Sequence, residues 1–285
     1  GIRDLVRSRG LEMCIRDRIK TKDEVLISKA QAMIKVLFNE LKTDFDVKDL
    51  SDYILVSIGD FLREKTSSPG QAKPYYQAAL DSSDPSYEFP ALFGLADVLG
   101  SGSSAEQKKA VTLLDRVYAD AKKDQKEKAI FRIVTISFGN KEYDETIKRG
   151  REYLDDKSFK QRNSADVRLL IAQSYDALGK SEDAILIYGQ IWTTAPGYVK
   201  VSGPSLKRWM ELLWDRNGTN REEGKSDRQK VYEEGWKWLD NTKGFKSKLS
   251  DPETASWTAV ESLVLEYEAR TEIKSMKDIL EEQKK

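Results

Sequence analysis

Two Gly-Lys-Ser strings and several adjacent acid pairs are the residues of this chain whose types invite a chemical reading. A phosphate-cradling loop needs a glycine five residues ahead of its Gly-Lys-Ser, on a loop leaving a strand, so that successive backbone amides point at the anion. Gly179-Lys180-Ser181 has Ser174 at that place, Gly224-Lys225-Ser226 has Thr219, and neither string follows a strand pattern. Both read as turn chemistry, and no nucleotide cofactor is expected. The pairs Asp155-Asp156, Glu222-Glu223, Glu233-Glu234 and Glu281-Glu282 could serve glycoside hydrolysis, which needs two carboxyls flanking one bond and no histidine. They stand among lysines, as solvated helix faces do. An α/α-toroid carbohydrate-active enzyme is therefore the alternative reading, and a non-catalytic protein is the expectation.

Composition narrows the chemistry further. The 285 residues include no histidine, which removes the usual general base of serine and cysteine hydrolases and the commonest transition-metal ligand. A single cysteine, Cys14, leaves no intramolecular disulfide, no cysteine-rich zinc site and no CxxC redox motif. With 48 basic residues balancing 48 acidic ones, no net field favours nucleic acid or an anionic membrane. No apolar run approaches the ~18 residues of a membrane span. Gly1 to Lys20 carry six basic residues without a sustained apolar stretch and read as a non-native or disordered segment. The string Met13-Cys14-Ile15-Arg16-Asp17-Arg18 is similar to translated sequencing-adapter read-through, so the natural start is expected to be missing.

The elements that would position any site are helices in tandem pairs. From Ala165 to Tyr198, Ile171, Tyr175 and Leu178 fall on one helix face; Gly179 ends that helix, and Ala184, Tyr188 and Ile191 line the next before Pro196 stops it. Ser164 and Ser181 are the expected caps of the two helices. Upstream, Ile130, Ile133, Val134 and Ser137 precede a helix with Ile147, Tyr153 and Leu154. Leu92, Leu95, Ala96 and Leu99 precede Ala110, Leu114 and Val117; Ile54, Ile58 and Leu62 precede Ala72, Tyr76 and Ala79. Four hairpins thus cover residues 47–198.

The unit at Ala165 resembles the tetratricopeptide repeat family, whose repeat of about 34 residues pairs two antiparallel helices. Ala172 and Ala184 occupy its small positions, Tyr175 and Tyr188 its aromatic ones and Pro196 its terminal proline; Arg168 stands where a large apolar residue is usual. Thr146 and Gly150 replace the second small and aromatic residues in the preceding hairpin. The resemblance implies an all-α, α-solenoid superhelix of about 12 helices that stack hairpin on hairpin, together with a protein or peptide partner.

Around these repeats the expectation places a capping helix at 21–46, a helical cap at 199–275 and a charged tail at 276–285. The cap begins a helix after Gly203-Pro204 with Leu206, Trp209, Met210 and Leu213, continues from Val231 to Leu239, and opens a last helix on Asp251 as cap, with Pro252 and Glu253 behind it. All six tryptophans lie at or beyond position 192. Trp236 and Trp238 point about 200° apart on one helix, so the helix is either sandwiched or offers one indole to a partner. Binding in the family uses the inner face of each hairpin's first helix. By position, that selects Phe131, Arg132 and Thr135, then Asp166, Leu169, Leu170, Gln173 and Asp176, with Trp238 as a separate candidate. The lysine and asparagine clamp of the chaperone-type members is missing from these positions. A scaffold or adaptor is the functional expectation and a purely structural module of an envelope assembly a further alternative; by family analogy, localisation leans to the cell envelope over the cytoplasm.

Overall fold

A computed structural model describes residue 36 and residues 46–82, 85–216, 219–220 and 225–270. Among these residues the protein is all-helical, with eleven α-helices and one short antiparallel pairing of Thr219–Asn220 with Lys225–Ser226. The segment 1–20 and the tail 276–285 lie outside the described residues, as does the expected helix at 21–46 apart from Val36, which is helical and exposed, and Asp46. No helix among the described residues is long and apolar enough to cross a membrane. The chain forms two compact units, Gly1–Val117 and Tyr118–Lys285.

In the first unit, α1 (Asp52–Lys65), α2 (Lys73–Asp81) and α3 (Pro85–Gly100) pack on one another, followed by α4 (Ser104–Asp120). Leu55, Ile58 and Leu62 recur at helical spacing along α1 and are buried. The centre of the three-helix packing is Tyr76, fully buried, whose hydroxyl donates to Asp60 at 2.7 Å. Two glycines make room for its ring: a Cβ on Gly59 would lie 2.6 Å from it and one on Gly94 2.2 Å. The start of α4 is fixed by a capping box in which Ser103 donates its N–H (2.9 Å) and hydroxyl to Glu106. Lys73 reaches the same carboxylate, and hydrogen bonds from Lys73 and Ser103 hold Glu106 down at about 2.

The second unit contains α5 (Lys123–Gly139), α6 (Tyr143–Asp155), α7 (Ser164–Ala177), α8 (Ser181–Thr194), α9 (Val199–Arg216), α10 (Asp227–Thr242) and α11 (Asp251–Arg270). Each of α5 to α10 packs against the next, α11 also covers α9, and first helices of successive pairs touch, α5 with α7 and α7 with α9. One apolar core runs through the unit from Ile130 to Tyr267. Gly150 on α6 allows a close approach to α7, since a Cβ there would lie 2.7 Å from Ile171.

The turns within the pairs α5–α6 and α7–α8 match residue for residue. Gly179 has φ of 71°, its N–H donates to Asp176 O and the Lys180 N–H to Tyr175 O, both at 2.9 Å. In the earlier pair Lys141 takes the same left-handed conformation at 62°, with its N–H on Phe138 O and the Glu142 N–H on Ser137 O. Both are Schellman closures, which favour glycine at the left-handed residue. Lys141→Gly is expected to stabilise the unit by about 0.5–1 kcal/mol by removing the Cβ penalty, read as a higher urea midpoint with unchanged slope. An unchanged or lower midpoint would contradict the turn assignment.

Four helix starts differ from the sequence expectation. Ser164 and Ser181 are first helical residues rather than caps, and the caps Asn163 and Lys180 make no side-chain cap bond. The cap of α11 is Ser250, not Asp251: its N–H and hydroxyl donate to Glu253 at 2.9 and 2.7 Å, a second capping box. Helix α9 begins at Val199, so Gly203-Pro204 lies inside it. A proline this near the start removes a single intrahelical bond, and Gly203 brings α9 against α11, where a Cβ would stand 3.1 Å from that of Ser256.

Candidate partner-binding site

The candidate residues of α7 fall on a face that looks across to α9. Leu169, Gln173 and Asp176 are four and three residues apart and so share one side of the helix. With Pro204 and Arg208 from α9 and Tyr188 from α8 they line an open cleft of about 460 Å³.

Its electrostatics are settled internally. Arg208 grips Asp176 in a bidentate pair, Nε to Oδ2 at 2.6 Å and Nη2 to Oδ1 at 2.9 Å, and its Nη1 donates to Glu211 at 3.0 Å. Hydrogen bonding to Asp176 raises the guanidinium further, outweighing burial. Burial works against ionisation of Glu211, but hydrogen bonds from Lys207 and Arg208 outweigh it and lower the carboxyl. The two cations and two carboxylates neutralise one another, so the wall has direction without net charge.

What the cleft leaves available is neutral. Tyr188 is 2% exposed, and its hydroxyl makes no hydrogen bond among the described residues; burial, reinforced by Asp176, pushes it well above the ordinary phenol range. It cannot serve as a base near neutral pH and acts as a protonated donor and acceptor. The Gln173 amide is likewise without a hydrogen bond among the described residues. Beside them Leu169, Ala177 and Pro204 supply apolar contact. Two amphoteric groups among short apolar surfaces suit the edge of a polypeptide backbone.

No protein-family model matches the chain, and neither does any curated protein. The reading of the cleft therefore rests on its residues. Among the described residues no group of acids and cysteine could hold a metal ion. The acid pairs do not converge there: Asp156 accepts the Ser158 N–H at 2.8 Å, and Glu234 pairs with Lys237. Glu222-Glu223 and Glu281-Glu282 lie outside the described residues. Of the Gly-Lys-Ser strings, Gly179 closes a helix and Ser226 caps α10 by accepting the Gln229 N–H at 3.2 Å.

The remaining candidates lie apart from the cleft. Phe131 is half-buried on α5 with its ring 6.4 Å from that of Tyr153, Arg132 is half-buried, and Thr135 is exposed, its hydroxyl donating to Phe131 O. Asp166 meets the Tyr198 hydroxyl at 3.4 Å, and Leu170 packs against the core. Trp238 is a correction to the idea of an exposed indole: only 2% exposed, it is packed into the core by α9 and α11, while Trp236 is half-buried. Helix α10 is thus the sandwiched case. Sequence reasoning misses Arg208 because it assigns that helix to the cap. Placing α9 as the first helix of a further pair, facing α7, would have found it.

Proposed function

We propose that the protein is a non-catalytic interaction scaffold, in which stacked tetratricopeptide-like hairpins hold an extended segment of a partner polypeptide along the α7–α9 cleft. The observation that carries this reading is the convergence of Leu169, Gln173 and Asp176 with Arg208 and the unpartnered Tyr188 hydroxyl. Helical repeats recognise chains through such neutral, mixed surfaces on stacked helices. Asp176 has an internal role here, orienting Arg208 and setting the cleft wall, and the ligand-facing work falls to Gln173, Tyr188 and Leu169.

Selection of peptides from a random display library against the protein tests the reading. Peptides are expected to enrich, and Leu169→Glu is expected to weaken the best of them at least about 10-fold by placing a charge against the bound chain. The circular dichroism of that variant should match wild type, because Leu169 is only half-buried. Failure of any peptide to enrich, or equal binding by the variant, would reject the site.

A further inference from the structure

Side chains of α7 reach the α9 segment at two places that match in position but not in chemistry. At one, Asp176 of α7 takes the guanidinium of Arg208, 32 residues later. At the other, ten residues back on each side, Asp166 of α7 faces the hydroxyl of Tyr198, again 32 residues later and immediately ahead of Val199, where α9 begins. Ten helical residues span about 15 Å. The Asp176 carboxylate is neutralised from within the chain, whereas among the described residues that of Asp166 has no lysine or arginine partner. Its hydrogen bond from Tyr198 is 3.4 Å long, which leaves most of its accepting capacity unused.

Tyr198 is fixed at its backbone and open at its ring. Its carbonyl accepts the Val201 and Ser202 N–H groups at 3.0 and 2.9 Å, while the residue is 40% exposed. Burial of the hydroxyl, together with the carboxylates of Asp166 and Glu253, holds the phenol above its ordinary range, so it stays protonated. Glu253 is itself occupied: it accepts the Ser250 N–H and hydroxyl in the cap of α11 and lies in the field of Lys200. An exposed aromatic ring beside an unneutralised carboxylate offers the two contacts that a guanidinium or ammonium takes together, a π face and a negative charge. Asp166 is also in line with Leu169, Gln173 and Asp176, three, seven and ten residues on along the same face of α7. From Asp166 to Gln173 is about 10 Å, or about three residues of extended chain.

We infer that the corner formed by Asp166 and Tyr198 receives a lysine or arginine side chain of the polypeptide held in the α7–α9 cleft, so that the partner supplies at this end the cation that Arg208 supplies at the other. The inference rests on the cleft reading and adds to it the charge of the partner: a basic residue about three positions from the neutral stretch that meets Gln173 and Tyr188. An acidic or phosphorylated segment in the same place would meet Asp166 with like charge.

The test uses the full chain, immobilised, and degenerate peptide pools that are random except for a central arginine, glutamine or glutamate. The arginine pool should be retained about 3- to 10-fold better than the glutamate pool, with the glutamine pool between them. The chain's formal net charge of zero gives no general attraction for cations to mimic this order. Asp166→Asn keeps the size of the side chain and an acceptor for Tyr198, and should bring the arginine pool level with the glutamine pool without lowering retention of the latter. Asp166→Lys should reverse the order of the arginine and glutamate pools. Because Asp166 is half-buried at the start of its helix, the circular dichroism of both variants should match wild type. Equal retention of all pools by wild type, or an arginine advantage that survives Asp166→Asn and Asp166→Lys, would overturn the inference while leaving the cleft standing if Leu169→Glu still lowers retention of every pool. Retention of no pool at all would overturn both.

Discussion

Tyr76→Ala is expected to unfold or severely loosen the first unit, at a cost of about 3–5 kcal/mol, the range for deleting a buried aromatic side chain. The ring is fully buried between α1 and α3, and its hydroxyl anchors Asp60, which also receives Arg63 at 3.1 Å. Gly94→Ala should be nearly as damaging for the opposite reason. Its Cβ would stand 2.2 Å from the same ring, a contact that only movement of α3 could relieve, and overpacking of this kind costs about 1–3 kcal/mol or more. Both substitutions act on one ring, so their effects should not add. In the Tyr76→Ala background the methyl introduced by Gly94→Ala enters the vacated space, and the second substitution should cost little or even recover stability. Amide exchange in α1 to α3 reads the first unit separately from the rest of the chain. Strict additivity would contradict the wedge geometry.

Arg216→Met is the second large expected effect. Asp227 is 1% exposed and receives both Arg216 Nε and Nη2 at 2.8 Å, while Nη1 reaches Glu182 at 2.7 Å. That one guanidinium ties the end of α9 to the start of α10 and to α8. Removing it takes the bidentate partner from a buried carboxylate, for which a loss of about 3–5 kcal/mol is expected. Arg216→Met combined with Asp227→Asn should recover a large part, because the amide carries no charge to desolvate. Chemical denaturation of the second unit measures both. A double variant no better than the single one would show that the cost lies in lost packing of the arginine stem instead of in the buried carboxylate's lost ion pair.

The helices are legible in the sequence wherever apolar residues recur at helical spacing beside a turn residue. Ile171, Tyr175, Gly179, Ala184 and Tyr188 carry that pattern without interruption, and α7 and α8 lie where it places them. Boundaries are less legible where a competing local signal intervenes. Gly203-Pro204 reads as the boundary before a helix, yet the helix starts at Val199 and runs through it, with Val199, Val201 and Leu206 buried. Helix α5 ends at Gly139, yet the left-handed residue of its closing turn is Lys141, where no glycine announces it.

The site is legible only on one side. The period of α7 identifies Leu169, Gln173 and Asp176 as one face, but nothing local to Asp176 announces that Arg208, on a helix two elements later, neutralises it. The tryptophans show the same limit. Their clustering near the C-terminal end is visible by eye, whereas the contacts each indole makes depend on tertiary neighbours. Trp257 donates to Thr242 at 3.0 Å and Trp214 stacks on Tyr267 at 3.8 Å, both spent inside the fold, while Trp192 and Trp238 keep unpaired N–H groups.

Photocrosslinking tests the central claim most directly. A benzophenone amino acid placed at Gln173 should crosslink a library-selected peptide in high yield, and the same group at exposed Lys148 on α6 should not. Equal yields at the two positions, or crosslinking from position 148 alone, would contradict an α7–α9 cleft that holds a polypeptide.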